Sequence, residues 1–321
     1  MRILFVTASR IGDAVLSTGL LDHLAATHPA ARFWVACGAS PAPLFAAAPF
    51  VERVLPMVKR RRAGHWRDLW LATAPHWWHM VVDLRGSGLA YVVPTLRRRV
   101  LRSSWQPQHR LIHLASALGL ARPLAPVLWA GPADEAAAAR LVPPGPPVLV
   151  LGCTANWEPK CWPAARFAAV AARLSAEGGI LPGARVAVVG AESERAMAQP
   201  VLESVPPERR IDLLGCAGLP TVYAALKRCA FYVGNDSGMM HIAAAAGLPT
   251  LGLFGPSSEV FYGPWGARCA AVRGPRGFED ICHAPDFNHR SRDCMMLDLD
   301  VDTVAAAAED LFNRSSPAPG R

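Results

Sequence analysis

Short apolar runs, each followed by a polar loop and then by apolar residues at helical spacing, recur along the chain and restrict its fold most strongly. The first run occupies residues 3–8, and helical spacing follows over residues 15–24. A continuously apolar strand is typical of a parallel sheet that is covered on both faces. The alternation therefore predicts an open, mostly parallel α/β sheet, in which ligands bind beyond the carboxyl ends of the strands.

A proline-rich stretch near the middle of the chain divides this pattern. Residues 143–147 read Pro-Pro-Gly-Pro-Pro, which continues neither a helix nor a central strand. The alternation restarts at residue 148, so we predict two doubly wound, Rossmann-like domains that face each other across a cleft. The expected domains are 1–144 and 145–313, with a disordered tail at 314–321.

The cations are concentrated in the first domain. Residues 1–145 carry 17 Lys and Arg against 7 Asp and Glu, whereas residues 146–321 carry 16 against 18. The net charges are therefore +10 and −2. The N-terminal half is expected to meet an anionic partner, and the other half need not.

The sequence predicts neither a membrane-spanning helix nor a leader peptide. No run of 18 apolar residues is free of proline, histidine and charge, and the apolar run after Arg2 is too short for a signal peptide. The eight cysteines are scattered through the chain, which is typical of free thiols rather than of a disulfide framework. We therefore expect a cytoplasmic protein.

Gly12 and Asp13 stand where the first predicted strand gives way to the first predicted helix. Gly12 allows the backbone to approach a ligand closely, and Asp13 places a carboxylate at the start of the helix, beside the expected cleft. Such a carboxylate suits a general base. The alternative is N-capping of the helix, for which Asp is favoured.

The loop at residues 152–163 combines a hydroxyl, a cation and the start of a helix. It follows a predicted strand and contains Thr154 and Lys160. A hydroxyl and an ammonium group at a helix N-terminus suit a phosphate. A solvated lysine on a loop is the alternative.

Residues 233–250 give the most specific pattern, Val-Gly-Asn-Asp-Ser-Gly-Met-Met-His followed by a run of alanines. A helix of small residues starts at Ser237 or Gly238, directly after Asp236. Its free N–H groups and its dipole suit the diphosphate of a nucleotide sugar. His241 lies one turn further, where it either faces that ligand or is an ordinary core or surface residue.

Together these segments resemble glycosyltransferase family 9, the ADP-heptose:lipopolysaccharide heptosyltransferases. The likeness extends from Met1 to Leu311, and the Asn-Asp-Ser-Gly-x-Met-His form is most similar to the heptosyltransferase II members. Further matching segments are Asp83-Leu84-Arg85-Gly86, residues 109–120, residues 247–249, residues 254–257 and Cys294-Met295.

The resemblance implies a GT-B fold, with the acceptor bound by the N-terminal domain and the donor by the C-terminal domain. It implies that Asp13 is the catalytic carboxylate and Lys160 the phosphate-binding lysine. It also implies a donor loop of Asp236, Ser237 and Gly238 with His241. The implied reaction is an inverting, metal-independent transfer of heptose from ADP-heptose to the inner core of lipopolysaccharide, without a cofactor.

Two departures from the family leave the sugar and the base of the donor open. Pro220 stands where some members carry a ribose-binding Glu, and residues 269–294 match only loosely. The alternatives are a GT-B transferase or epimerase that uses another nucleotide sugar in cell-surface glycan synthesis, or a nucleotide-sugar binder without activity. No G-x-G-x-x-G follows the first strand, which disfavours a dehydrogenase.

Cations and aromatic residues are mixed in the first domain, as in surfaces that meet an anionic bilayer. We predict that they bind a lipid-anchored glycan acceptor or dock peripherally on the inner face of the inner membrane; a solvated basic face is the alternative. No nucleic-acid module is recognisable, so no nucleic-acid partner is expected. The predicted docking residues are Lys59, Arg60, Arg61, Arg62, Trp66, Arg97, Arg98 and Arg99.

Two segments near the C-terminus share some features with metal sites. Asp298-Leu299-Asp300-Val301-Asp302 contains Asp-x-Asp, but acidic residues are also favoured at a helix start. The residues Cys282, His283, His289 and Cys294 fit no common zinc spacing. We therefore predict no metal site.

Overall fold

The computed structural model describes residues 1–285 and 287–315, and the chain divides into two compact units, Met1–Gly131 and Pro132–Arg321. Of the tail expected at 314–321, Arg314 and Ser315 end the last helix, and the rest lies outside the described residues. No described helix is long and apolar enough to cross a membrane. The eight cysteines are free thiols, and burial raises the pKa of Cys37 to about 12.

Five parallel strands form the sheet of the N-terminal unit. They are β1 (Arg2–Val6), β2 (Arg32–Gly38), β3 (Val51–Met57), β4 (Trp78–Asp83) and β5 (Thr95–Val100). Their order in the sheet is β3-β2-β1-β4-β5. The helices are α1 (Ile11–Thr27), α2 (Ala42–Ala46), α3 (Gly64–Thr73), α4 (Leu89–Val92) and α5 (Arg110–Ser116).

The core of this unit forms because the central strand is apolar on both of its faces. Successive side chains of a strand point to opposite faces, so Leu4 and Val6 share one layer. They pack with Trp34, Trp78 and Leu69, the last of which belongs to α3. The two indole rings meet edge to face, with their centroids 5.3 Å apart. This layer holds α3 against the sheet.

Six parallel strands form the sheet of the C-terminal unit. They are β6 (Val148–Gly152), β7 (Arg185–Gly190), β8 (Arg210–Leu214), β9 (Phe231–Asn235), β10 (Thr250–Phe254) and β11 (Cys269–Arg273). Their order is β11-β10-β9-β6-β7-β8. The helices are α6 (Pro132–Leu141), α7 (Ala164–Ser175), α8 (Arg195–Glu203), α9 (Leu219–Leu226), α10 (Gly238–Ala245), α11 (Glu259–Tyr262), α12 (Phe278–Cys282) and α13 (Val301–Ser315).

Helices α7 and α13 cover one part of this sheet with apolar stripes. In α7 the buried residues Phe167, Val170 and Leu174 recur at helical spacing, and in α13 Val304 and Leu311 do the same. All of them belong to one core with the strands. The two parallel α/β sheets confirm the predicted fold class.

The boundary between the units lies at Gly131 and Pro132, ahead of the expected boundary at 144/145. The difference arises because α6 packs against α9 in the C-terminal unit. The Thr221 hydroxyl donates to Asp134 at 2.6 Å, and Lys227 forms an ion pair with Glu135 at 2.9 Å. The proline-rich stretch that follows α6 is held by the Arg185 side chain, which donates to the carbonyls of Pro143 and Pro146.

In each sheet the order of the strands reverses between two neighbours, β1 and β4 in the first sheet and β6 and β9 in the second. Loops that leave such a pair diverge and open a crevice at the carboxyl ends of the strands, where ligands of doubly wound sheets bind. A functional site is therefore expected in the loops that follow these four strands.

Candidate functional site

Lys160 and Asp236 meet at the reversal point of the second sheet. Lys160 lies in the loop after β6, and Asp236 directly follows β9. The ammonium Nζ donates to the Asp236 carboxylate Oδ2 at 2.6 Å, and the two side chains are only 17% and 10% exposed. The structure thus brings together two residues that the sequence placed 76 positions apart, and Lys160 is not a solvated loop lysine.

The loop that carries Lys160 is fixed at several points. Trp162 donates its backbone N–H to Asn235 Oδ1 at 3.1 Å and its indole N–H to the Leu299 carbonyl at 2.8 Å. The backbone N–H of Met295 donates to the Pro159 carbonyl at 3.0 Å. These bonds tie the loop after β6 both to the end of β9 and to the segment before α13, so the ammonium group has a defined position.

Helix α10 presents an uncapped N-terminus beside this ion pair. Ser237 is its N-cap residue and has extended backbone, but its hydroxyl makes no capping bond. The first N–H groups of an α-helix have no partner within the helix, and the positive end of its dipole points the same way. The Lys160 ammonium and the start of α10 therefore form a site suited to a phosphate or diphosphate.

Buried polar atoms without hydrogen-bond partners gather at the carboxyl ends of β9 and β10. Six such side-chain atoms occur among the described residues, and four of them belong to Tyr232, Asn235, Ser237 and Ser257. Buried polar groups are nearly always paired, so a cluster of unpaired ones is typical of a ligand-binding site. Of these four residues, only Ser237 was predicted from the sequence to bind a ligand.

The loop after β10 is braced by Arg273 at the end of β11. Its guanidinium donates to the Ser257 carbonyl at 2.7 Å, to the Gly255 carbonyl at 3.2 Å and to the Glu259 carboxylate. Burial alone raises the pKa of Glu259, but the hydrogen bonds from Arg273 and from the Glu259 backbone N–H, together with the Arg273 charge, outweigh burial and hold this pKa below its ordinary value. The ion pair between Arg273 and Glu259 ties this loop to the end of β11.

Thr154 and His241 lie near this site but are occupied or buried. The Thr154 hydroxyl donates to Glu194 Oε2 at 2.8 Å, so its proton is already bound by that carboxylate. His241, in the first turns of α10, is 4% exposed. Gly238 is the first residue of α10. The donor-binding roles predicted for Thr154 and His241 stay predictions.

Asp13 lies in the first turn of α1, directly after β1. Strand β1 is one of the two strands at the reversal point of the first sheet. The helix begins at Ile11, and Arg10 is its N-cap residue, so Asp13 is not the N-cap. The alternative that Asp13 is the N-cap residue of this helix is therefore wrong. Gly12 and Asp13 are both half-buried, and the role of Asp13 as a general base stays a prediction.

Arg85, in the loop after β4, contacts the loop that leads to Asp13, and no role was predicted for it from the sequence. Its guanidinium donates to the Ser9 hydroxyl at 2.7 Å, four residues before Asp13. The guanidinium carbon also lies 5.1 Å from the centroid of the Trp66 ring. The sequence does contain a signal for Arg85, because it is the first cation after β4, and β4 lies beside β1 at the reversal point.

Asp83, at the end of β4, shapes this loop and is fully buried. Its carboxylate accepts the backbone N–H groups of Arg85 and Ser87, each at 2.9 Å, and the Ser87 hydroxyl at 2.7 Å. These bonds replace water as partners of the buried carboxyl group. The Asp-Leu-Arg-Gly segment thus turns sharply and presents Arg85.

The predicted docking residues fall on different parts of the N-terminal unit. Residues 59–62 follow the edge strand β3, whereas residues 97–99 lie on the opposite edge strand β5; all are exposed. Trp66 is half-buried, packs against the core and lies under Arg85, so it does not project like an interfacial anchor. Tyr91, which is 67% exposed, and Trp105, which is 98% exposed, are the aromatic residues that flank β5.

The acidic residues between 298 and 302 have separate partners rather than a shared centre. Asp298 pairs with Arg276 at 3.0 Å, Asp302 pairs with Arg173 at 2.6 Å, and Asp300 accepts the Thr303 backbone N–H at 2.7 Å near the start of α13. In residues 1–285 and 287–315 no group of three or more His, Cys, Asp or Glu side chains is arranged to hold a metal ion.

Two parallel α/β units, with a lysine and a helix N-terminus at one reversal point and a carboxylate at the other, define a glycosyltransferase of the GT-B class. The model of glycosyltransferase family 9 (heptosyltransferase) matches residues 73–288, more than half of the chain. The chain belongs to glycosyltransferase family 9.

Named relatives agree with this assignment. Lipopolysaccharide heptosyltransferase 1 of Pseudomonas aeruginosa is 28% identical over 314 residues, which cover 83% of this chain and 82% of the relative. Lipooligosaccharide heptosyltransferase 2 of Haemophilus influenzae is 24% identical and covers 85% and 88%. The structure of ADP-heptose lipopolysaccharide heptosyltransferase II of E. coli has a TM-score of 0.75 at 22% identity, covering 98% of this chain and 99% of that one.

Proposed function

We propose that this glycosyltransferase moves a heptose from ADP-heptose to the inner core of lipopolysaccharide. The observation that carries the proposal is the Lys160 ammonium held by Asp236 directly before the uncapped start of α10. The sugar, the nucleotide and the acceptor are inferred from the relatives, which are lipopolysaccharide or lipooligosaccharide heptosyltransferases, one of them an ADP-heptose enzyme.

On the donor side, the diphosphate binds at the N-terminus of α10. Lys160 and the free N–H groups after Ser237 face the phosphate oxygens, and Asp236 fixes the ammonium group. Negative charge grows on the diphosphate as its bond to the sugar breaks, and preorganised positive groups stabilise it there. Because the protein itself supplies this charge, we propose that transfer requires neither a divalent cation nor a cofactor.

On the acceptor side, Asp13 acts as the general base. It takes the proton from an acceptor hydroxyl while that oxygen attacks the anomeric carbon and the nucleoside diphosphate leaves from the opposite face, which inverts the configuration. Arg85 reaches the loop before Asp13 through Ser9, so it is placed to bind an anionic group of the acceptor.

We propose further that the N-terminal unit works as a peripheral protein on the inner face of the inner membrane. The support is the exposed row of arginines at residues 97–99, flanked by Tyr91 and Trp105. Arginine with interfacial aromatic rings suits an anionic bilayer, and an acceptor anchored in lipid requires the enzyme to approach it. Residues 59–62 add charge along the other edge of the sheet.

The experiment that tests the proposal measures release of nucleoside diphosphate by purified protein. ADP-heptose, ADP-glucose, GDP-glucose and UDP-glucose are compared, with and without heptose-deficient lipopolysaccharide, in the presence of a chelator. Release from ADP-heptose alone, and only with the acceptor, is the expected result. Preference for another donor refutes the substrate but keeps the mechanism, and loss of activity in the chelator refutes metal independence.

A further inference from the structure

Tyr232 occupies a slot that two glycines leave open at the reversal point of the second sheet. Tyr232 and Gly234 lie on the same face of β9, and Gly234 pairs with Gly152 at the end of β6. A methyl group on either glycine would stand 2.7 Å from the Tyr232 ring carbon that carries the hydroxyl. The ring therefore lies across both glycines and carries its hydroxyl toward the carboxyl ends of β6 and β9.

Packing alone does not account for this hydroxyl. Tyr232 is fully buried, and its oxygen makes no hydrogen bond within the described part of the chain. Burying a hydroxyl without a partner is unfavourable, whereas a phenylalanine ring would fill the same slot without that penalty. A tyrosine at this position therefore needs a partner that becomes available during function.

The neighbouring polar group is the hydroxyl of Ser237, the N-cap of α10. The two hydroxyls interact, but not with the distance and angles of a formed hydrogen bond, and Ser237 Oγ has no other partner among the described residues. Burial nevertheless dominates and raises the pKa of Tyr232, so the phenol keeps its proton at neutral pH and can only donate or accept as a hydroxyl.

We propose that Tyr232 is a positioning residue of the donor site, whose hydroxyl donates to Ser237 Oγ while the Ser237 hydroxyl donates to a diphosphate oxygen. This inference rests on the proposed function, because it requires a diphosphate at the start of α10. A hydroxyl that donates to an anion becomes a better acceptor, so the two bonds strengthen each other. The relay satisfies both unpaired hydroxyls at once.

The test is a double-mutant cycle on binding of ADP, measured by titration calorimetry on the full chain. Tyr232→Phe keeps the ring between the two glycines and removes only the oxygen. We expect it to weaken ADP binding by about 3- to 10-fold, the effect of one neutral hydrogen bond. In a Ser237→Ala background the same substitution should have no further effect, because the relay is already broken. Tyr223→Phe, on α9, is the matched control and should bind ADP like the wild type.

A structural role predicts different outcomes. If Tyr232→Phe lowers the thermal midpoint of unfolding, or weakens ADP binding equally in the Ser237→Ala background, the tyrosine supports the sheet and the relay is refuted. Unchanged affinity in Tyr232→Phe also refutes it. These results leave the donor site intact, since the wild type still binds ADP. A wild type that binds none of ADP, GDP and UDP instead overturns the donor site and the relay together.

Discussion

Asp13 is the residue on which the proposed chemistry depends most directly. Asp13→Asn keeps the size of the side chain in the first turn of α1 but removes its basicity. We expect turnover to fall by about 10²- to 10⁴-fold, the usual contribution of a general base, with ADP affinity unchanged. Steady-state rates with ADP-heptose and acceptor, together with ADP titration, measure both quantities.

The control for this substitution is Asp22→Asn, a half-buried carboxylate later in the same helix. It should retain wild-type turnover. Near-normal activity of Asp13→Asn would remove Asp13 from the mechanism, and equal losses in both variants would point to a destabilised helix rather than to a lost base.

Whereas Asp13→Asn should lower turnover and leave ADP affinity unchanged, replacement of Lys160 should weaken the binding of ADP. Lys160→Ala removes a charge-assisted donor to the diphosphate and leaves the Asp236 carboxylate without its ion pair, so ADP affinity should fall by about 10-fold or more. Lys227→Ala deletes an exposed lysine that pairs with Glu135 and is the matched control. Calorimetric titration with ADP measures the difference, and equal affinities for the two variants would contradict the role of Lys160.

At the scale of single residues, the sequence predicts those whose function follows from a loop after an apolar strand. Lys160 and Asp236 stand in such loops, and the structure joins them at 2.6 Å. Arg85 and Tyr232 escaped prediction for a different reason. The role of Arg85 depends on Ser9, 76 positions earlier, and that of Tyr232 on glycines in two strands. Such partners become neighbours only once the order of the strands is known.

At the scale of elements, the apolar run at residues 3–8 and the one from residue 148 predicted the interior strands β1 and β6, whereas no apolar run predicted the edge strand β5. Interior strands are covered on both faces and have neighbours on both sides, so they are continuously apolar. Edge strands expose polar side chains; β5, for example, reads Thr-Leu-Arg-Arg-Arg-Val. Because its three arginines were interpreted as a charged surface, the strand itself was not recognised.

The ion pair between Arg273, at the end of β11, and Glu259, after β10, makes the free energy of unfolding depend in part on pH. The pKa of Glu259 is lowered in the folded state, so its pairing with Arg273 contributes fully above the ordinary value near 4.5 and is lost as the pH falls through the lowered pKa. Glu259→Gln should remove this dependence and cost about 1 kcal/mol or less at neutral pH, because the pair is partly exposed.

Thermal midpoints measured from about pH 6 to about pH 3 distinguish the variants. We expect the difference between the wild type and Glu259→Gln to shrink toward the acidic end. Glu203→Gln, which changes an exposed residue at the end of α8, should follow the wild type at every pH. A constant difference between the wild type and Glu259→Gln would show that the charge of Glu259 is unimportant.

At the scale of the whole molecule, the sequence predicted two domains that meet at 144/145, whereas the two compact units of the structure meet at Gly131 and Pro132. Prolines at 143–147 suggest a linker because they interrupt regular structure, but Arg185 anchors their carbonyls to the C-terminal unit. Helix α6 packs on α9, where the Thr221 hydroxyl donates to Asp134, and the Arg228 side chain donates to the carbonyl of Val142 directly after α6. The prolines indicate where regular structure is interrupted, but they do not show to which of the two cores α6 belongs.

This difference predicts the behaviour of fragments. A fragment that starts at Pro132 should unfold at a higher temperature than one that starts at Gly145, because the shorter one exposes the face of α9 that α6 covers. Both retain Lys160 and Ser237, so ADP titration shows whether each is folded. Equal thermal midpoints would indicate that α6 contributes nothing to the C-terminal core.

The arginine row on β5 also bears on how the enzyme behaves at high concentration. An edge strand offers a row of unpaired backbone groups, and two copies that joined there would bring their arginines to within about 5 Å of each other. Mutual repulsion of the guanidinium groups therefore protects the open edge against fibre-like self-association. Neutral replacements at residues 97–99 would remove that protection together with any attraction to lipid, whereas glutamates would remove the attraction and keep the protein dispersed.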